Sequence, residues 1–198
     1  MTRTKAASSS ASGTPSAEMP VIPPHERRTG LLVPVAADGL VGDFRRRFNA
    51  ATVARRLPPH VTVLFPFARA TAVDAAMHAD LARHFATFTP FEAELTGVGH
   101  FDRFVWLAPE PRDRFVDLIT ATCDRYPAFP PYDGEGGEPE PHLTIAAIEE
   151  GGDAGRVADI AHSELAQLLP FRFVVDGVSL FEEQADATWV ESVRFPLG

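Results

Sequence analysis

One pattern constrains this chain more than any other: proline, histidine, apolar residue, threonine, apolar residue. It occurs at Pro59-His60-Val61-Thr62-Val63 and again at Pro141-His142-Leu143-Thr144-Ile145. Each copy opens a run that reads as a strand, and each strand is followed by a helical pattern. Side chains alternate along a strand, so His60 and Thr62 share one face while Val61 and Val63 take the other. The same parity pairs His142 with Thr144 against Leu143 and Ile145. Each strand thus offers an imidazole and a hydroxyl about 6–7 Å apart, with its apolar residues anchored in the core. The prolines suit the first position of a strand, where no ladder donor is needed.

The rest of the chain alternates between strand and helix periods. Thr29–Val35 reads as a strand, and Asp38–Ala51 as a helix capped by Asp38, with Leu40, Val41, Phe44 and Phe48 at helical spacing. His60–Phe67 is a strand and Ala72–Phe88 a helix. Phe91–Phe101 and Arg103–Pro109 form a hairpin or bulged pair, followed by a helix over Arg112–Tyr126. The Pro-, Gly- and Glu-rich segment Pro127–Pro141 is long enough to be a functional rim. His142–Ile148 is a strand, Asp153–Leu169 a helix, and Phe171–Phe181 and Thr188–Leu197 are the two final strands. Strands beside strands predict an α+β fold with antiparallel pairing rather than a doubly wound sheet. No Gly-rich phosphate loop is present. Residues 1–24 are low-complexity, so a disordered tail is expected over 1–28 and one domain over 29–198.

The chain has 198 residues, 45% hydrophobic, and carries a formal charge of −9. A domain of this size buries roughly 70% of its unfolded surface and folds without disulfides or a structural metal. The single cysteine, Cys123, excludes an internal disulfide and reads as a small buried residue. No run approaches the ~18 apolar residues of a membrane span, and the N-terminus has no apolar signal region. A cytoplasmic monomer is expected, with no membrane or duplex DNA partner, because an acidic surface repels a long polyanion. A small phosphate-bearing ligand or a nucleic-acid end remains compatible with that charge.

Two His-x-Thr strands facing one another would line a cleft with two imidazoles and two hydroxyls. That set suits in-line displacement at phosphorus: one histidine removes a proton from the nucleophile and the other protonates the leaving oxygen. Thr62 and Thr144 can donate to the non-bridging oxygens, where charge concentrates. His-x-Thr gives one good metal ligand per strand and no carboxylate completes a set, so neither metal nor cofactor is expected.

The two motifs resemble the paired His-x-Thr signatures of the 2H phosphoesterase superfamily, especially its bacterial members named after 2′-5′ RNA ligase. Leu64-Phe65-Pro66-Phe67 and the Pro130-Pro131-Tyr132 loop are also similar, and the likeness spans about residues 29–198. It implies two pseudo-symmetric lobes, with antiparallel sheets and flanking helices, around a central cleft. It also implies metal-independent chemistry on 2′,3′-cyclic phosphates or 2′-5′ linkages of a nucleotide or RNA end. Carried over, His60 and His142 are the acid/base pair, in either order, and Thr62 and Thr144 bind the phosphate. Reversible 2′-5′ ligation, which would need a basic groove, and nucleotide binding without turnover are the rival readings. The acidic residues Asp133, Glu135, Glu138 and Glu140 precede the second motif.

Tyr132 is a candidate to stack on a base, and Arg103, at the hairpin turn, a candidate to meet a phosphate. His78, His84 and His162 read as helix residues without a site role. His25 lies in or beside the tail, and His100 closes a strand. Trp106 and Trp189 read as packing residues, and Arg45–Arg47 as a solvated helix face.

Overall fold

The computed structural model describes residues 22–134 and 137–198. Among them run eight strands and five α-helices: β1 (Thr29–Pro34), α1 (Asp38–Phe48), α2 (Ala50–Ala54), β2 (His60–Leu64), α3 (Ala75–Phe85), β3 (Phe91–His100), β4 (Phe104–Glu110), α4 (Arg112–Arg125), β5 (Leu143–Ala147), α5 (Ala154–Leu165), β6 (Phe171–Val175), β7 (Gly177–Glu183) and β8 (Trp189–Pro196). The strands form two four-stranded antiparallel sheets, ordered β2-β1-β7-β8 and β5-β4-β3-β6. This is the expected α+β class in two lobes. Most of the expected tail lies outside the described residues. Residues 22–28 are placed, with the Ile22 N–H on the Ala185 carbonyl at 2.8 Å and Arg28 paired to Glu183 at 3.1 Å.

The lobes repeat one unit. β1-α1-β2 and β4-α4-β5 each lead through a helix into a His-x-Thr strand, and β2 and β5 are both edge strands that approach one another. The helices are exchanged: α1 packs against β5 and α4 against β2, so each motif strand is backed by a helix of the other lobe. Val61, Val63, Leu143 and Ile145 are at most 2% exposed, and each buried side chain of this size contributes about 1.5–3 kcal/mol. This burial pins both strands to a common core.

Four local expectations are corrected. Phe171–Phe181 is two strands in two sheets: β6 pairs with β3, β7 with β1 and β8, and Asp176 between them accepts the Leu197 N–H at 2.9 Å. The first helix ends at Phe48, because buried Asn49 leaves helical geometry (φ −148°) before α2 begins. Asp38 lies in the first turn rather than at the cap, and Ala37 takes that position without a side-chain bond. True side-chain caps belong to Asp74 and Asp153, which accept from the N–H groups of Met77 and Arg156. Finally, Arg45 is not on a solvated face. Val41, Phe44, Arg45 and Phe48 follow i, i+3, i+4, i+7 spacing, and Arg45 is only 3% exposed within that stripe. The hairpin between β3 and β4 does form, with a register shift between Leu95 and Val98.

Candidate active site

Both motif strands carry a β-bulge at the same place. Leu31 and Leu32 of β1 oppose Leu64 and Thr62, leaving Val63 unpaired; Val105 and Trp106 of β4 oppose Ala146 and Thr144, leaving Ile145 unpaired. A bulge shifts side-chain parity and bends the strand. Simple alternation therefore holds from histidine to threonine and stops there. Val63 and Leu64 are both buried, as are Ile145 and Ala146, while Thr62 and Thr144 remain half-buried. The bulge lets each strand present its hydroxyl toward the cleft and return directly to the core.

The histidines repeat one another as closely. The His60 Nδ1–H donates to the Pro58 carbonyl at 2.8 Å, and the His142 Nδ1–H donates to the Glu140 carbonyl at 2.8 Å. A carbonyl only accepts, so Nδ1 must carry the hydrogen in both rings, and Nε2 is the free nitrogen. Burial pushes the His60 imidazole down to about 4, against the Pro58 bond, and the charges of Arg45 and His142 lower it further. His142 is also lowered by burial, but the Glu140 carbonyl and carboxylate oppose that shift.

A cleft of about 600 Å³ opens between the lobes, and Thr62, Thr144 and His142 all line it. His60 is set deeper and is not part of the wall, yet lies near enough to His142 for their positive charges to repel. The remaining wall is largely aromatic, from Phe65, Phe101, Phe104 and Tyr132. Phe101 meets the His142 ring edge-on at 5.2 Å, and Trp106, opposite Thr144 in register, lies 6.2 Å from that ring. A Cβ on Gly99 would sit 2.4 Å from the Trp106 ring, so only glycine permits this placement.

Tyr132 reaches the cleft as expected. Its N–H donates to the Phe65 carbonyl at 2.7 Å and its backbone is left-handed (φ 52°), which docks the loop onto the end of β2. Burial raises its hydroxyl pKa, an effect opposed by the nearby Thr62. Arg103 is elsewhere: its Nε–H donates to the Ile148 carbonyl at 3.2 Å, and it does not line the cleft. No described arginine or lysine lines it, whereas Glu138 and Glu140 do, the latter paired to Arg112 at 2.9 Å. Cys123 is half-buried rather than fully buried and forms part of the wall. Among the described residues no group of three His, Cys, Asp or Glu is arranged to hold a metal ion, and no helix is long and apolar enough to cross a membrane.

His84 belongs to a separate network. Its Nε2 lies 3.0 Å from Thr122 Oγ1, beside Tyr126, whose hydroxyl donates to Asp80 at 2.9 Å. Burial lowers its pKa, as it does for His60 and His142. Unfolded imidazoles titrate near 6.5, so below that value the unfolded chain binds more protons. Stability should therefore fall as pH drops from about 6.5 toward 4. Thermal melts across that window check it, and an unchanged midpoint would contradict the burial of these rings.

A sequence profile of the 2′-5′ RNA ligase superfamily matches residues 33–187. The chain belongs to the 2′-5′ RNA ligase superfamily. Its fold is similar to that of E. coli LigT crystallised with 3′-AMP, at TM-score 0.57 and 15% identity, covering 86% of this chain and 98% of that one. It is also similar to TT0787 of Thermus thermophilus, at TM-score 0.55 and 17% identity over 85% and 97% of the two chains. Kluyveromyces marxianus Usb1 matches at TM-score 0.52 and 12% identity, over 86% and 97%. No curated protein sequence matches. Membership of the superfamily brings with it the coarse activity, that of a 2H phosphoesterase or 2′-5′ RNA ligase-type enzyme.

Proposed function

We propose that this protein is a metal-independent phosphodiesterase that opens a 2′,3′-cyclic phosphate, or cleaves a 2′-5′ linkage, on a nucleotide or RNA end. The observation that carries this reading is the paired setting of the two histidines. Each Nδ1 is tied to the carbonyl two residues back, which leaves an Nε2 on each ring to exchange a proton. Thr62 and Thr144 stand beside them on the cleft wall as donors to the non-bridging oxygens. In hydrolysis, water loses a proton to one Nε2 and its oxygen attacks phosphorus. The phosphorus–oxygen bond to the ribose breaks, and that oxygen takes a proton from the other Nε2.

Hydrolysis is favoured over ligation by the wall itself. Joining two RNA ends requires holding two polyanions, which a basic groove provides; here aromatic side chains and two glutamates stand in its place. Binding without turnover is disfavoured because both His-Thr pairs are intact and equivalent. The crystallised complex of LigT with 3′-AMP is in keeping with a nucleotide-sized ligand. A single chain supplies every group named, so a monomer suffices.

The test is a turnover screen against the four nucleoside 2′,3′-cyclic phosphates and a 2′-5′ dinucleotide, with the position of the product phosphate identified. At least one substrate should turn over, equally well in EDTA. No turnover of any substrate overturns the reading. Loss in EDTA that one added divalent metal restores overturns its metal-free part.

A further inference from the structure

The two halves of the site are alike in hydrogen bonding and unlike in charge. Behind His60 lies Arg45, reaching across from α1. Its Nη2–H donates to the Leu57 carbonyl at 2.8 Å, and the next residue, Pro58, supplies the carbonyl that holds His60 Nδ1. Arg45 is 3% exposed, its Nε has no hydrogen-bond partner, and no described carboxylate lies within ion-pair distance. Behind His142 the corresponding position is Glu140, which offers its carbonyl to the ring and adds a carboxylate. A buried cation with no ion-pair partner, its charge only partly offset by Asp38 on the same helix, opposes a second positive charge nearby, whereas a carboxylate favours one.

We propose that Arg45 and Glu140 divide the work of the pair: His60 is the general base that takes the proton of the attacking water, and His142 the general acid that protonates the leaving ribose oxygen. This assignment rests on the phosphodiesterase reading above. Arg45 and Glu140 are positioning residues that act through the histidines. The other groups facing the two rings do not upset the contrast. Cys123 on α4 and Tyr132 beside Thr62 are both neutral at pH 7, with pKa values raised by burial. Arg112, at the start of α4, is engaged by Glu140 at the exposed rim, and Phe101 and Trp106 carry no charge. His142 also lines the open cleft, where a leaving group must be met, while His60 lies deeper. The proton count closes, since His60 gains one, His142 loses one, and exchange with solvent resets both.

The experiment compares a nucleoside 2′,3′-cyclic phosphate with its analogue bearing sulfur at the leaving bridging position. A thiolate departs without a proton, because thiols ionise near pH 8.5. His142→Ala should lose about 10²–10⁴ on the oxygen ring and less than about tenfold on the sulfur ring, whereas His60→Ala loses heavily on both. Sulfur rescue of His60→Ala instead overturns the assignment and leaves the phosphodiesterase reading standing. The ring used is one that the screen above shows to be turned over; if wild type turns over none of the four rings, the assignment is overturned, and if it cleaves no 2′-5′ linkage either, the phosphodiesterase reading fails as well.

The positioning roles are read from the pH profile of kcat/KM. Arg45→Gln should raise the acidic limb and Arg45→Lys restore it, while Glu140→Gln should lower the alkaline limb. Unmoved limbs in folded variants overturn these roles. Should Arg45→Gln not fold, the exposed Glu140→Gln decides alone.

Discussion

Replacing either His60 or His142 by alanine should lower turnover by about 10²–10⁴ while the protein stays folded. Each ring makes one hydrogen bond, to the carbonyl two residues back. Losing such a bond costs about 0.5–1.5 kcal/mol, against a total stability of about 5–15 kcal/mol for a domain. Both strands remain anchored by Val61, Val63, Leu143 and Ile145. The rate loss should therefore appear in kcat at saturating substrate, with an unchanged circular dichroism spectrum and only a small drop in melting temperature. Near-wild-type kcat in either variant would end the two-histidine mechanism. The double variant should cost little more than the worse single one, because the two groups act as a unit.

The second large effect belongs to the threonines. Thr62→Val and Thr144→Val remove a hydroxyl and keep the shape and strand preference of the side chain. Each should lower kcat by about 10²–10³, the usual loss on removing one donor to a developing anionic oxygen, while Thr→Ser should stay within a few-fold of wild type. KM should change much less, since charge on the non-bridging oxygens grows toward the transition state. A Val variant at full kcat would show that its hydroxyl does not meet the reacting phosphate.

Much of this site is legible in the chain because its two halves depend on short-range parity. A histidine and a threonine two residues apart on a strand must share a face, and repetition of the pattern at two strand starts implies that the faces meet. Beyond the threonine parity fails, because a bulge is a property of two strands in register and leaves no mark on Val63 or Ile145. Arg45 is a different case. It occupies a core position of a visible apolar stripe, but an arginine between Phe44 and Arg46 reads as solvated unless the stripe is given priority over residue type. The division between β6 and β7 is hidden for another reason: apolar residues continue through Asp176, and only the partner strands tell the two segments apart. Arg103 shows the converse, a cation at a turn between two cleft-lining phenylalanines, Phe101 and Phe104, whose own guanidinium donates to the Ile148 carbonyl.

The order of the strands in the two sheets bears on how the protein emerges from the ribosome. The sheet β5-β4-β3-β6 is drawn from one uninterrupted stretch, Phe91 to Val175. The sheet β2-β1-β7-β8 joins the earliest strands to the last ones, and its edge strand carries His60. Synthesis proceeds from the N-terminus, so β1, the one sheet neighbour of the strand bearing the first motif, waits without its β7 partner until the segment after β6 has been made. The sheet behind His142 is made consecutively, whereas the sheet behind His60 is completed by strands made long after it. A chain that stops before β7 thus lacks the strand that flanks β1 in the sheet carrying His60.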